Sequence, residues 1–223
     1  MENPWKNLGK ENNEYIAECD KYFFNNKYYL NLFKNDYELK LNVMPGPYTG
    51  DLLNARVYLL ALNPGYDEND VLFTNNYKNK IIDNLLHIFD DYPFMILNPQ
   101  YKESAGAKWW LNKLSHLINN FGLENVANKV CNIEYFPYHS KKYKHLNLKL
   151  PSQEYSFSFV KKAIIENKKI IIMRSEKIWY NAIPELENYE NKYVLNSSQN
   201  VIISPKNLGI EMIYYFFYDE FYK

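Results

Sequence analysis

Apolar residues run without interruption from position 57 to 62 (Val-Tyr-Leu-Leu-Ala-Leu), and the run stops at Asn63-Pro64-Gly65-Tyr66. An unbroken apolar segment of strand length, closed by a Pro-Gly breaker, predicts a strand buried on both faces, as in the middle of a parallel sheet. Comparable runs at 130–136 and 169–173 predict two more strands, and residues 201–203 a short fourth. Between them the spacing is helical. Residues 76–89 carry Ile81, Leu85 and Ile88 on one face, and 104–120 carry Trp109, Leu111, Leu114 and Leu117. Residues 153–167, 176–182 and 207–222 complete the helices, and an aromatic-rich segment at 11–35 is expected to be helical. Pro45, Gly46, Pro47 and Gly50 make 42–50 a loop; two prolines make 91–101 an extended loop; 141–151 is a basic loop. Strands alternating with helices predict an α/β protein: a three-layer α/β/α domain around a central four-stranded, mainly parallel sheet. Residues 1–40 are expected to form a helical segment packed on a core domain of residues 41–223.

Charge adds a mild restriction. Lys plus Arg is 26 and Asp plus Glu is 26, so the net charge is zero, whereas nucleic-acid binders tend to be basic. Local patches count for more than the total, and Lys141, Lys142, Lys144 and His145 form one. No apolar stretch is long enough to span a bilayer, and the N-terminus lacks the apolar segment of a signal peptide. The expectation is a cytoplasmic protein with no membrane partner, acting as a monomer. Cys19 and Cys131 are too few for a disulfide framework and read as ordinary thiols.

In open parallel sheets the chemistry gathers at the carboxyl ends of the strands. Three strand ends here carry conspicuous polar groups: Asn63-Pro64-Gly65-Tyr66, Glu134-Tyr135-Phe136-Pro137-Tyr138-His139-Ser140, and Ser204-Pro205-Lys206-Asn207. Parallel strands bring these ends to one edge, so the three segments are expected to converge. Gly65 removes a side chain where a ligand could approach the backbone. Ser204-Pro205 leads into a helix whose first N–H groups suit a phosphate. Each feature has a plainer alternative: Asn63 as a turn cap, Glu134 in an ion pair, His139 as a structural histidine, Ser204 as a helix cap, and the lysines as a solvated loop.

Taken in this order, the motifs resemble the uracil-DNA glycosylase superfamily. Leu62-Asn63-Pro64-Gly65 is similar to that family's first motif, in which an Asn or Asp positions the attacking water. Ser204-Pro205 is similar to the last two residues of its His-Pro-Ser-Pro motif, which supports the leaving base and holds DNA phosphates. Glu134, with Pro137 following, stands where the family usually has an Asn that reads the pyrimidine edge. The resemblance covers roughly residue 45 to the C-terminus and implies hydrolysis of an N-glycosidic bond in DNA, with the target nucleotide flipped into a pocket and neither cofactor nor metal required. It implies Asn63 as the water-positioning residue, with Asp67 (and Glu68 or Asp70 beside it) as general base. Gly65, Tyr66, Phe94, Tyr101 and Glu134 would contact the base. Lys141, Lys142, Ser204, Pro205, Lys206 and Asn207 would contact the DNA backbone.

Two departures change the expectation. Ile202 or Ile203 occupies the place of the family histidine, so help to the departing base must come from elsewhere, with His139 and then Lys206 as candidates. Glu134 replaces the reading Asn. An ionised Glu only accepts hydrogen bonds and matches the N4 amino group of cytosine rather than the carbonyls of uracil, which points to an amino-bearing, modified cytosine. By analogy, hypermodified phage DNA and anti-phage defence become a possible setting. A protonated Glu134 would donate instead, and uracil or mismatch repair is then the alternative. A catalytically silent DNA- or nucleotide-binding module is the alternative outside enzymes.

Overall fold

A computed structural model describes residues 1–8, 10–11, 14–145 and 148–222. Asn12 and Asn13 of the expected N-terminal helix, and Leu146 and Asn147 of the basic loop, lie outside the described residues. Five strands form the main sheet among them: β1 (Tyr48–Thr49), β2 (Val57–Ala61), β3 (Val130–Glu134), β4 (Lys169–Ile172) and β5 (Lys192–Val194). The order is β1-β3-β2-β4-β5; β1 runs antiparallel to β3 and every other pair is parallel.

The apolar runs become the three inner strands because both faces of each are covered. Tyr58, Leu60, Ile133, Ile170 and Ile172 pack on one side with Phe157, Val160 and Trp179. Val57, Leu59, Ala61 and Ile171 pack on the other with Trp110, Leu114, Leu117, Val126 and Phe217. Helices therefore lie on both faces, as a three-layer arrangement requires. They are α1 (Asp70–Leu85), α2 (Ala105–Lys113), α3 (Ser115–Phe121), α4 (Leu123–Lys129), α5 (Pro151–Ile165), α6 (Glu176–Ala182), α7 (Pro205–Leu208) and α8 (Ile213–Tyr222).

The sheet differs from the expected four strands in two places. Residues 201–203 are extended and Val201 and Ile203 are buried, but Ile203 N–H donates to the Lys113 carbonyl at 2.9 Å instead of joining the sheet. Lys192–Val194 takes the fourth parallel position, and Tyr48–Thr49 adds an antiparallel edge out of the expected loop. That edge depends on Gly50, at φ +100°, where a Cβ would stand 2.8 Å from the Cys131 Cα. Helix 104–120 is divided at Leu114, and the closing helix is divided at Gly209, which adopts φ 67° and ends α7 after four residues.

The N-terminal segment is not the long helix expected. It contains a short hairpin pairing Lys10–Glu11 with Glu14–Tyr15, then the single turns Lys21–Phe24 and Lys27–Leu30. It is nevertheless part of the core through Trp5, Tyr15, Ala17 and Phe24. Asp20 locks it down: fully buried, its carboxyl accepts from the Ser152 N–H (3.0 Å), the Ser152 hydroxyl (2.6 Å) and the Tyr138 hydroxyl (2.8 Å). Asp20→Ala strands two buried hydroxyls, and a loss of about 1–3 kcal/mol in urea unfolding is expected. Stability equal to wild type would mean that the Asp20 hydrogen bonds contribute nothing to holding the segment.

Candidate active site

The parallel strands run 2-1-3-4 in chain order, so the connections leaving β2 and arriving at β4 pass in opposite directions. Such a switch point opens a crevice beyond the strand ends. A cleft of about 980 Å³ lies there, lined by Asn63, Glu134, His139 and Arg174 among others.

Asn63 stands two residues beyond the end of β2, after Leu62. Its amide nitrogen donates to the Pro64 carbonyl and to the Ser140 hydroxyl, each at 2.9 Å. The nitrogen is thus committed to the protein, and the amide oxygen is the end left for the cleft. The segment after β3 is tied to the same turn: Ser140 N–H donates to Pro64 O, and His139 Nδ1 lies 2.5 Å from Gly65 O. Burial pushes the His139 pKa below its ordinary value, partly opposed by the nearby Asp70, which favours a neutral ring at neutral pH. The opposite shift holds for Asp70. Burial raises its carboxyl, while the Asp67 N–H at 2.7 Å and the nearby His139 pull it down. Asp67 closes this turn by accepting from the Asn69 N–H at 2.9 Å.

The floor of the cleft comes from β3. Asn132 and Glu134, two residues apart, point to the same side of the sheet. Both are buried, with 3% and 7% of their surface exposed. Asn132 Nδ2 donates to Glu134 Oε1 at 2.9 Å, while Asn132 Oδ1 and Glu134 Oε2 are buried without a partner. Burial pushes the Glu134 carboxyl up to about 7, against the pull of Asn132 and Arg174. Buried polar atoms left open are rare in folded proteins, and these two, on neighbouring side chains that line the cleft, are free to accept from a bound molecule or water.

The structure brings together Asn63, Gly65, Tyr66, Asp67, Glu134, His139, Lys141 and Lys142, all lining the cleft. Beside Gly65 a Cβ would meet nothing within 4 Å, so the backbone there is open to approach. Tyr66 has the Lys40 ammonium 5.4 Å from its ring, and Lys142 pairs with Asp36 at 2.7 Å.

Other residues lie elsewhere. Phe94 is fully buried with its ring edge-to-face on Trp110, and Tyr101 is buried against Phe73 and Tyr77, so neither offers a face to a base. The loop that carries them coils into the turns Met95–Leu97 and Pro99–Tyr101, which direct the rings inward. Trp109, read from its spacing as core, is instead partly exposed at the cleft. The Ser204 turn does not line the cleft. Ser204 caps α7 by accepting from the Asn207 N–H at 3.3 Å, and the Asn207 amide donates to the Asn200 and Ile202 carbonyls. Pro205 and Lys206 belong to the same short helix, outside the lining.

Two cleft residues escaped the sequence reading. Asn132 is a polar residue inside a buried strand, spaced by two from Glu134, and that spacing was the signal. Arg174 is a charged residue placed two residues beyond the end of a strand, as Asn63 is.

No known protein family, curated protein or solved structure matches the chain. The nature of the site therefore rests on its own geometry.

Proposed function

We propose that this chain is a monofunctional DNA glycosylase that flips a pyrimidine into the cleft and hydrolyses its N-glycosidic bond. The observation that carries the reading is the pair of open acceptors at the floor, Glu134 Oε2 and Asn132 Oδ1, lying beyond an asparagine whose amide nitrogen is already held. With Glu134 ionised, these two acceptors suit the two N–H donors of the exocyclic amino group of cytosine. Uracil offers one N–H flanked by carbonyl oxygens, which would face acceptors. With the Glu134 carboxyl raised to about 7 the protonated form is also populated near neutral pH, and that form donates to a carbonyl, as the uracil alternative requires. The substrate class favoured is a cytosine derivative, and a cleft of about 980 Å³ has room for a bulky modification on the ring. Excision of hypermodified phage bases is one setting for such an activity, and cytoplasmic action on DNA is part of the same reading.

Asn63 then presents its amide oxygen to a water beside the sugar C1′. The carboxylates of Asp67 and Asp70 stand on the adjoining turn to take the proton, and the raised pKa of Asp70 suits it to that work. Tyr66 and Trp109 supply aromatic faces for stacking, in place of Phe94 and Tyr101. Lys141 supplies positive charge for phosphates, and Lys142 would do so by exchanging its Asp36 partner for one.

Duplexes bearing uracil, mismatched thymine, cytosine or glucosylated hydroxymethylcytosine, treated with the protein and then alkali, test this. Strand breaks at the modified cytosine are expected; breaks at uracil or mismatched thymine alone would replace this substrate class with a repair role. A second reading, a catalytically silent DNA- or nucleotide-binding module, is favoured by the Ser204 turn lying outside the cleft. Tight binding without breaks on every duplex would select it.

Gly65 gives a separate check. Gly65→Ala meets open space, so its stability should stay within about 0.5 kcal/mol of wild type. Base release should nevertheless fall if the substrate passes close to that backbone. Unchanged release would remove Gly65 from the contact surface.

A further inference from the structure

The resemblance that brought Asn63 and Ser204 forward leaves one position vacant: the chain has no histidine before Ser204 to support the departing base. His139 does not fill it well, since its ring is held against Gly65 O and burial disfavours its cation. Lys206 is outside the cleft. Arg174 is inside it. It stands two residues beyond the end of β4, its Nε is buried without a hydrogen-bond partner, and among the described residues no carboxylate forms an ion pair with it.

The sheet register fixes where it stands. Ala61 pairs with Glu134 and Leu60 with Ile172, so the ends of β3 and β4 flank the end of β2. Asn63 leaves the middle strand, with Glu134 on one side and Arg174 on the other. The two charged groups sense each other, since Arg174 opposes the upward shift of Glu134. The cleft thus has an acceptor pair on one flank and a donor cation on the other. A flipped cytosine is polar in the same sense, with N–H donors at N4 and a carbonyl acceptor at O2.

Building on the glycosylase reading, we propose that Arg174 is a further catalytic residue whose guanidinium takes the O2 edge of the base and stabilises the charge it carries on leaving. In that step the C1′–N1 bond breaks and its electron pair passes to the base, spread over N1 and O2. The water held by Asn63 bonds to C1′ and gives its proton to the carboxylate of the adjoining turn. The base anion is later protonated from solvent. A guanidinium stays charged at every working pH, so it needs no proton transfer of its own.

The test uses the full chain and whichever duplex of the panel it cleaves best. Single-turnover release is measured at saturating protein for wild type, Arg174→Ala and Arg174→Lys, with DNA affinity measured alongside. Arg174→Ala should lose roughly 10²–10³-fold in rate, the usual cost of removing a charge-stabilising donor. Its affinity should stay within a few-fold. Lysine should restore part of the rate, and added guanidinium ion should partly rescue the alanine variant where sodium at equal concentration does not. A full rate in Arg174→Ala, a loss traced wholly to affinity, or no recovery with either cation overturns the role and leaves the glycosylase reading standing. Release of no base by wild type overturns that reading itself, and this role with it.

Discussion

Asn63→Ala is expected to slow single-turnover base release by roughly 10²–10³-fold, with DNA affinity nearly unchanged. The reason is local. The Asn63 amide is oriented by two hydrogen bonds through its nitrogen, to Pro64 O and Ser140 Oγ, so its oxygen is fixed before any substrate arrives. Fixed dipoles contribute most when they need no reorganisation during the reaction. Alanine removes the oxygen and leaves the turn, which is still held by Ser140 N–H on Pro64 O and by His139 on Gly65 O. A variant with full activity would show that the water is positioned by another group.

The second large effect is on stability and runs with pH. Glu134 is raised from 4.5 to about 7, chiefly by burial. Below 4.5 the carboxyl is protonated folded or unfolded, and its contribution to stability is fully present. Above 4.5 the unfolded chain ionises while the buried carboxyl keeps its proton, so that stability is lost progressively as pH rises to and through 7 and the loss levels off beyond it. The shift corresponds to roughly 3 kcal/mol. Glu134→Gln has no charge to bury. Its stability relative to wild type should therefore climb by about that amount from acid to alkaline pH in denaturant titrations. A constant difference across the range would mean that the carboxyl is not held in the buried state described. On the proposed function the same residue would read the base: Glu134→Asn should then move activity towards uracil, and an unchanged preference would remove Glu134 from base reading.

The parts of the fold legible in the sequence were those whose burial is complete. The apolar runs at 57–62 and 169–173 became Val57–Ala61 and Lys169–Ile172, with every residue of both strands buried. Short or half-exposed elements were not legible. Lys192–Val194 has a strand's place without a strand's apolar pattern, because it is the sheet's outer parallel strand and only partly buried. Residues 201–203 have the pattern without the pairing.

The candidate site divides along the same line. Asn63 and Glu134 stood out because a polar residue ending an apolar run must have a partner or a use. The same rule, applied to Met173-Arg174 or to the interior of 130–134, would also have selected Arg174 and Asn132. The aromatic residues could not be sorted this way. Phe94, Tyr101 and Trp109 look alike in sequence; the coiling of the 95–101 loop turns the first two inward, and Trp109 falls on an exposed face of α2.

The most direct measurement is mass spectrometry of the small molecules freed when the wild-type chain meets a duplex carrying glucosylated hydroxymethylcytosine. The account predicts the free modified base, with the DNA retaining an intact abasic deoxyribose. A released nucleotide, a released sugar, or an unaltered duplex would contradict it.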